Sequence, residues 1–239
     1  MRRAKLIGPS IMAALLLSEP GHAQEKSQDG SLLITLTGQS MIRSDIRATA
    51  PDATPAIRSL VKGDVKFTNF EATVAEKGQA ADKGTGFTPP PEALDALMAF
   101  GINLISTSNN HAYDLGLTGI QNTLKEADAR HLVHAGTGVT MADAAAPAYL
   151  KTPNGTVALI AQASGMIQEG GRATDNGPGV NEMRIFTKDG KQNESTAEFP
   201  DGTVNVVDKD DAERILKSIR EAKAKSDLVV VYEIGRAHV

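Results

Sequence analysis

The sequence predicts a single mixed α/β domain, and three observations support this prediction. Short apolar runs alternate along the chain with segments whose apolar residues recur at helical spacing. The order strand, helix, strand, helix, strand within residues 64–136 is typical of a sheet with parallel strands. The chain has 239 residues, of which 41% are apolar and 23% charged, so it is long enough to bury a sizeable core.

The first elements follow from apolar patterning and from turn residues. Ser31–Gly38 is an apolar run that ends in a glycine turn, which predicts a buried strand. Ala56–Lys62 has the spacing of a short helix, and Asp64–Val74 alternates like a strand. The polar, glycine-rich stretch Glu76–Pro90 predicts a loop.

Two helices and two strands are predicted after this loop. The first helix lies between Pro91 and Gly101, because proline favours a helix start and glycine a helix end. Ile102–Thr107 is the strand that follows, and His131–Gly136 is the strand after the second helix. The inward residues of the two helices are Leu94, Leu97 and Met98, and then Leu117, Ile120 and Leu124, with the second helix running to about Arg130.

The remaining elements are a hairpin, a helix and a strand. Ala148–Ser164 contains two strand-like runs around Pro153-Asn154-Gly155, which is a strong turn signal, and Gly165–Pro178 predicts a loop. Asp210–Lys225 predicts a helix with Asp210 as its N-cap. Asp227–Tyr232 predicts a buried parallel strand. The inward residues of the helix are Ile215, Leu216 and Ile219.

The composition excludes several classes of function. The net charge is −4 and only 4% of the residues are aromatic, which argues against binding of nucleic acid. There is no cysteine, so the chain has neither disulfide bonds nor the acylated cysteine of a lipoprotein. A metal site in this chain must therefore use histidine, carboxylate and amide oxygen.

Residues 1–23 have the pattern of a cleaved export signal. Three basic residues precede the apolar run Leu6–Leu17, which is too short to span a bilayer comfortably, and small residues stand before the predicted cut after Ala23. A retained N-terminal anchor is the alternative. We predict an exported, periplasmic or cell-surface protein with a flexible lead at residues 24–30.

The last seven residues, EIGRAHV at 233–239, correspond to the translation of a common sequencing-adapter start. We therefore predict that residues 233–239 are a non-native tail and that residues 31–232 form the folded domain. A buried strand that stops almost at the last residue would also leave its neighbours unbuilt. On this reading the domain is incomplete at its C-terminus.

The run STSNNHAYDLG at residues 106–116 is the most chemically dense stretch of the chain. It places Asn109, Asn110, His111 and Asp114 directly after a predicted strand. Because parallel strands deliver their carboxyl ends to one edge of a sheet, these groups are candidates for a shared site. We predict that Asn110 and His111 face such a site and that Asp114 shapes the start of the next helix. The alternative is an ordinary turn, since asparagine tolerates turn geometry.

Five motifs occur in a fixed order: TGQSMI, TNFE (Thr68–Glu71), STSNNHAYDLG, HAGTG (His134–Gly138) and GPGVNEMR (Gly177–Arg184). Together they resemble the CapA-type capsule biosynthesis proteins associated with poly-γ-glutamate. The resemblance covers roughly Leu32 to Tyr232 and implies a fold like that of the metallo-dependent phosphatases, a layered α/β/β/α sandwich. It also implies a further strand end with His and Glu just past Tyr232, which this sequence lacks.

The resemblance implies a site for one or two divalent ions, with Mn, Zn, Fe or Mg as candidates. The implied metal ligands are Gln39, Glu71, Asn110 and His111, with His111 also a candidate catalytic proton donor. The implied supporting residues are Asn69, Asn109, Asp45, Asp114 and His134. The family pattern has Gly-Asp where this chain has Gly38-Gln39. A neutral glutamine oxygen binds a divalent cation more weakly than a carboxylate, so Asp45 is the candidate to supply the missing charge.

Three functions remain open at this point. The first is an exported protein that helps to make, move or anchor an anionic polymer such as poly-γ-glutamate, together with membrane-bound capsule machinery. The second is a metal-dependent hydrolase of a small phosphoester. The third is a non-catalytic periplasmic assembly module with a decayed metal site, for which Gln39 is the main support. Fold alone does not choose among them.

Overall fold

The computed structural model describes residues 30–76, 86–165, 167–187, 190 and 205–235. The predicted signal peptide at residues 1–23 lies outside this part of the chain. The same holds for residues 24–29 of the predicted lead, residues 77–85 of the predicted loop and residues 236–239 of the predicted tail.

The described residues form eleven strands and six helices. The strands are β1 Ile34–Ser40, β2 Val65–Phe70, β3 Leu104–Ser106, β4 Val133–Ala135, β5 Thr137–Gly138, β6 Ala148–Thr152, β7 Gly155–Ala163, β8 Gly179–Val180, β9 Ile185–Thr187, β10 Asn205–Val207 and β11 Leu228–Ile234. The helices are α1 Ile46–Thr49, α2 Ala53–Leu60, α3 Glu92–Ala99, α4 Gly116–Ala129, α5 Met141–Ala145 and α6 Lys209–Lys225.

Two larger sheets organise the fold. The first has the order β1-β2-β3-β4, and all its neighbours are parallel. The second has the order β11-β7-β6, in which β11 is parallel to β7 and β6 forms the predicted hairpin with β7. The pairs β5-β8 and β9-β10 form two short antiparallel sheets.

The two larger sheets pack face to face, and helices cover their outer sides. The core between them contains Phe67 and Leu104 from the first sheet and Leu159 from the second. A second core joins the outer face of the first sheet to α3 and α4, while Ala222 of α6 packs on the outer face of the second sheet. The layers therefore run helix, sheet, sheet, helix, which confirms the predicted α/β class. No helix in the described ranges is both long and apolar enough to cross a bilayer.

Several local predictions need correction. α6 is capped by Asp208 rather than Asp210, because the Asp208 side chain accepts a hydrogen bond from the backbone N–H of Asp211. Leu216 is 50% exposed, Leu117 43% and Met98 39%, so all three lie outside the buried face of their helix. β11 is parallel as predicted, but the prediction that it is buried is wrong, because it is an edge strand of its sheet and Val231 is 44% exposed. The strand continues to Ile234.

Gly136 brings the carboxyl edges of the two sheets into contact. Its backbone φ is 107°, which favours glycine. A Cβ atom at this position would lie 2.4 Å from the Ser108 Cβ and 2.9 Å from the Ala161 Cβ. Ser108 follows β3 in the first sheet, whereas Ala161 belongs to β7 in the second. The two sheets can approach this closely only because residue 136 has no side chain.

Candidate functional site

Polar residues from three neighbouring strands meet at the carboxyl edge of the first sheet. Gln39 lies near the end of β1, Glu71 directly follows β2, and Asn109 and His111 follow β3. The parallel order of these strands brings their ends to one side, as the sequence predicts. Hydrogen bonds then join the side chains into one network.

Glu71 is the carboxylate of this network and is only 5% exposed. Its Oε2 accepts a hydrogen bond from the Gln39 side-chain amide and another from Asn69 Nδ2 at 3.2 Å. Burial raises the pKa of Glu71, while the Gln39 hydrogen bond and the nearby His111 oppose this rise. The structure thus holds an acidic group in a place where its charge is costly.

Asn109 ties the ends of β2 and β3 together. It is fully buried, and its Nδ2 donates to the Phe70 carbonyl oxygen at 2.8 Å and to Asn69 Oδ1 at 3.4 Å. Its Oδ1 accepts from the backbone N–H of His111 at 3.0 Å. Asn110 is half-buried, and no hydrogen bond to another described residue fixes its side chain.

His111 is oriented through one ring nitrogen by Asp114. His111 Nδ1 lies 2.8 Å from Asp114 Oδ2, so the carboxylate accepts from an Nδ1–H, and in the neutral imidazole the lone pair is then on Nε2. Asp114 Oδ2 also accepts from the backbone N–H of Phe87 at 2.8 Å, and Oδ1 accepts from Gln168 Nε2 at 3.1 Å. The Phe87 ring meets the imidazole edge-on, with centroids 4.7 Å apart. A carboxylate–histidine pair of this kind is typical of metal ligands and of proton-transfer groups.

The predicted role of Asp114 at the start of α4 is wrong. α4 begins at Gly116, and Leu115 precedes it without a side-chain cap. Both oxygens of Asp114 are instead occupied by His111, Phe87 and Gln168. Asp114 therefore acts on the histidine and not on the helix.

Two other predicted supporting residues bond elsewhere. Asp45 caps α1 and pairs with Arg47 at 2.8 Å, so it does not supply the charge that Gln39 lacks. His134 Nε2 pairs with Asp128 Oδ1 at 3.1 Å, beside a cleft of about 280 Å³. Neither residue hydrogen-bonds to the network of Glu71 and His111.

The second sheet reaches the same edge through the ends of β7 and β11, and the end of β11 is the strand end that the resemblance implies near Tyr232. Tyr232 packs on Phe67 with ring centroids 5.1 Å apart. Burial raises the pKa of Tyr232, and the negative charge of Glu71 raises it further. Next to it, Ser164 Oγ donates to Glu233 Oε1 at 2.9 Å. Glu233, assigned to the tail by the sequence, pairs with Gln162 in the ladder of β11 and β7.

The side chains at this edge offer few charged ligands to a divalent cation. Within the described ranges, no three histidine, aspartate or glutamate side chains form a group that could hold a metal ion. The side-chain N–H of Gln39 donates a hydrogen bond to Glu71 Oε2. The N–H of this amide, and not its oxygen, therefore faces the carboxylate. The groups that remain as candidate ligands are one carboxylate, one imidazole nitrogen and amide oxygen. Together they carry only one negative charge, which is little for a divalent ion.

A family model described as bacterial capsule synthesis protein PGA_cap matches residues 33–233. The chain belongs to the PGA_cap family. This confirms the resemblance that the motifs indicate. The match covers both larger sheets and the whole network around Glu71 and His111.

Curated relatives of this PGA_cap chain are distant and longer. The uncharacterized proteins y4sH and y4uA of Sinorhizobium fredii are each 29% identical over 169 residues, which is 66% of this chain and 36% of the relative. The PGA biosynthesis protein CapA of Bacillus subtilis is 28% identical over 114 residues, which is 47% of this chain and 30% of CapA. The chain thus spans about a third of the length of the curated relatives it matches.

A second polar cluster is centred on Asp211. It includes Arg184, the last residue of the GPGVNEMR motif. The Asp211 carboxylate is fully buried and is bound by Arg172 at 2.5 Å, by Arg184 at 2.9 Å and by Arg214. Burial alone would raise the pKa of Asp211, but the hydrogen bonds from these arginines hold it well below its ordinary value. Arg172 and Arg214 also donate to the Glu182 carbonyl oxygen. The cluster fastens α6 to the segment that follows β8.

Proposed function

We propose that this PGA_cap protein is exported and helps to synthesise a capsule polymer, using a site in which Glu71 and His111 hold one divalent cation. The observation that supports this proposal is the His111–Asp114 pair beside a buried carboxylate. Hydrogen bonds from Gln39 and Asn69 keep Glu71 in place despite the cost of burying its charge. Such a costly arrangement is typical of functional sites.

Each residue has a defined part in this proposal. Asp114 fixes the tautomer and the ring orientation of His111, so that Nε2 is the nitrogen available to a cation or to a proton. Glu71 provides the negative charge, and Asn109 holds the loop that carries His111. A bound divalent cation would polarise a phosphoryl or carboxyl oxygen and lower the pKa of bound water towards ~7.

The substrate class that we propose is an anionic polymer or a precursor that bears a phosphoester. The family description names capsule synthesis, and the CapA relative is named for PGA biosynthesis. The net charge of −4 repels a polyanion over most of the surface, so binding requires a local positive charge.

Removal of the His111 imidazole is expected to weaken Mn²⁺ binding by about 100-fold or more, because loss of a supporting residue alone costs about 10–100-fold. The change is His111→Ala, and the measurement is the rise in melting temperature with increasing Mn²⁺. A cation present at about 100 times its Kd stabilises the wild type by roughly 2.7 kcal/mol. At the same concentration, a 100-fold weaker variant is stabilised by only about 0.4 kcal/mol, so its melting temperature should rise far less.

The matched control is His131→Asn, which removes an exposed histidine whose φ of 53° asparagine tolerates. This control should respond to Mn²⁺ like the wild type. Equal melting shifts in wild type and His111→Ala would contradict the proposed site. Hydrolysis of an aryl phosphate with Mn²⁺, lost in His111→Ala, would add turnover to binding.

Gln39 favours a second candidate function, a non-catalytic assembly module whose cation site has decayed. Its amide donates to Glu71 where the family pattern has an aspartate. Gln39→Asp should increase Mn²⁺ affinity by about tenfold, since an added carboxylate raises the charge of the ligand set. Without metal the same variant should melt at a lower temperature than wild type, because two carboxylates then face each other.

Gln39→Asn separates charge from size in this experiment, since asparagine has the length of aspartate and no charge. Titration calorimetry with Mn²⁺ compares the two variants directly. If Gln39→Asp binds Mn²⁺ while Gln39→Asn and the wild type do not, the wild-type site is a decayed one. Identical affinity in both variants would exclude a role for charge at position 39.

A further inference from the structure

We propose that Arg43 captures an oxyanion of the substrate, a carboxylate or a phosphate, next to the Phe87 ring that contacts His111. This inference rests on the proposed function and names the local positive charge that it requires. It is carried by the geometry of the segment after β1 and by the surroundings of the Arg43 guanidinium.

The segment from Gln39 to Arg43 touches the site at both of its ends. At one end, the Gln39 amide binds Glu71, and the Ser40 carbonyl oxygen accepts from the Glu71 backbone N–H at 3.3 Å. Ile42 is buried in the core under α3 and anchors the segment. At the other end, Arg43 emerges at the surface.

Arg43 stands one aromatic ring away from the imidazole of His111. Its guanidinium carbon lies 4.1 Å from the centroid of the Phe87 ring. The Phe87 ring in turn meets His111 edge-on, with centroids 4.7 Å apart. Arg43 Nη1 is also 3.5 Å from the Gly86 carbonyl oxygen, at the limit of a hydrogen bond. The aromatic face holds the guanidinium plane without neutralising its charge.

In the described part of the chain, Arg43 has no carboxylate partner. Five other arginines differ: Arg47 pairs with Asp45, Arg130 with Asp95 and Glu126, and Arg172, Arg184 and Arg214 with Asp211. An oriented guanidinium that has no carboxylate partner among the described residues presents a planar set of N–H donors. This geometry matches the two oxygens of a carboxylate or phosphate.

The position of Arg43 suits a ligand that reaches His111 at the same time. An anionic group bound by Arg43 would lie beside the ring of Phe87, which itself contacts the histidine that Asp114 orients. The chain carries a net negative charge, so the positive charge of Arg43 would also favour the approach of a polyanion at this place. Arg43 is thus a substrate-positioning residue in this proposal.

The test measures binding of two probes to the full chain: a fluorescein-labelled, γ-linked hexaglutamate and phenyl phosphate. Arg43→Ala should weaken binding of at least one probe by about 10-fold or more, as expected for a lost charge-assisted contact. Arg43→Lys should restore part of the affinity, because it keeps the charge and loses the planar fork. The control Arg220→Ala removes an exposed arginine of α6 and should leave both affinities unchanged.

The two probes distinguish the two sources of the oxyanion. An effect confined to hexaglutamate identifies a polymer carboxylate, and an effect confined to phenyl phosphate identifies a phosphoester. Equal affinities of wild type and Arg43→Ala for both probes, or equal losses in Arg43→Ala and Arg220→Ala, would overturn the inference. Failure of the wild type to bind either probe would overturn it as well.

A parallel readout separates this inference from the proposed cation site. The Mn²⁺-dependent melting shift of Arg43→Ala should equal that of the wild type, because Arg43 does not touch Glu71 or Asp114. Loss of probe binding with an intact Mn²⁺ shift supports the role of Arg43. No Mn²⁺ shift in any variant would instead contradict the proposed cation site and leave the probe comparison to decide on Arg43 alone.

Discussion

Asp211→Ala is expected to lower the free energy of unfolding by about 3–5 kcal/mol, the usual cost of breaking a buried ion pair on one side. The substitution leaves the guanidinium groups of Arg172, Arg184 and Arg214 without their shared carboxylate. It also removes the acceptor of the Arg184 backbone N–H, which lies 3.0 Å from Asp211 Oδ2. Three arginines thus lose a charged partner at once.

Urea unfolding at pH 7 measures this effect, with Asp210→Ala as the matched control. Asp210 is exposed in the first turn of the same helix, so its removal should cost about 1 kcal/mol or less. Because the folded pKa of Asp211 is lowered, its stabilisation is present above the ordinary carboxyl value of 3.8 and is lost as the pH falls below it. A loss under about 1 kcal/mol at pH 7 would mean that the cluster does not anchor α6.

Glu71→Gln is expected to abolish the stabilisation by Mn²⁺ while making the metal-free protein more stable at pH 7. The carbonyl oxygen of the new glutamine can accept both existing hydrogen bonds, from Gln39 and Asn69, so the shape of the network is kept. What is lost is a buried negative charge, which is the ligand that a divalent cation needs most. Stability and function therefore change in opposite directions at this residue.

The stability difference between Glu71→Gln and the wild type should depend on pH. Burial raises the pKa of Glu71, so the folded state binds its proton more tightly than the unfolded state does. The contribution of protonated Glu71 to the free energy of unfolding is fully present below the ordinary pKa of 4.5. It is lost as the pH rises through the raised pKa. In buffer with a chelator, the free-energy difference between Glu71→Gln and wild type should hence grow from pH 4 to pH 7. A difference that is constant over this range would contradict the buried-charge argument.

Much of the site follows from the sequence because it depends on topology. Glu71 and His111 each come directly after a strand, and the parallel order of β2 and β3 alone brings such residues to one edge. The direction of each hydrogen bond does not follow from topology. Gln39 was expected to offer an oxygen, but beside a carboxylate its N–H is the group that binds.

The partners of Asp114 show why the rest was not predictable. Besides His111, they are Phe87, which is 27 residues before it, and Gln168, which is 54 residues after it. Neither belongs to an element with a regular pattern, so no local signal predicts the contact. For Asp45 the reverse holds, because Arg47 lies two residues away and takes both of its oxygens. Sequence separation was no guide to which aspartate lies at the site.

The helices also show which details the sequence does not predict. The spacing of apolar residues predicts α3 and α6 correctly, but which edge of the apolar stripe is covered depends on the neighbouring layer. Leu216 follows the buried Ile215 and points away from the second sheet. Asp208, Asp210 and Asp211 all suit a helix start, and only the arginines around Asp211 decide that Asp208 is the cap.

The missing side chain at Gly136 also affects the thermodynamics of ligand binding. Since the end of β3 meets β7 at this residue, the groups from both sheets are fixed relative to each other once the chain has folded. An incoming cation or anion then orders little of the protein, and its binding should carry a small conformational-entropy penalty. The entropic cost of ordering the ligating groups is therefore paid when the chain folds and not when the ligand binds. The close backbone packing at Gly136 contributes to ligand affinity in this way, although Gly136 need not contact the ligand.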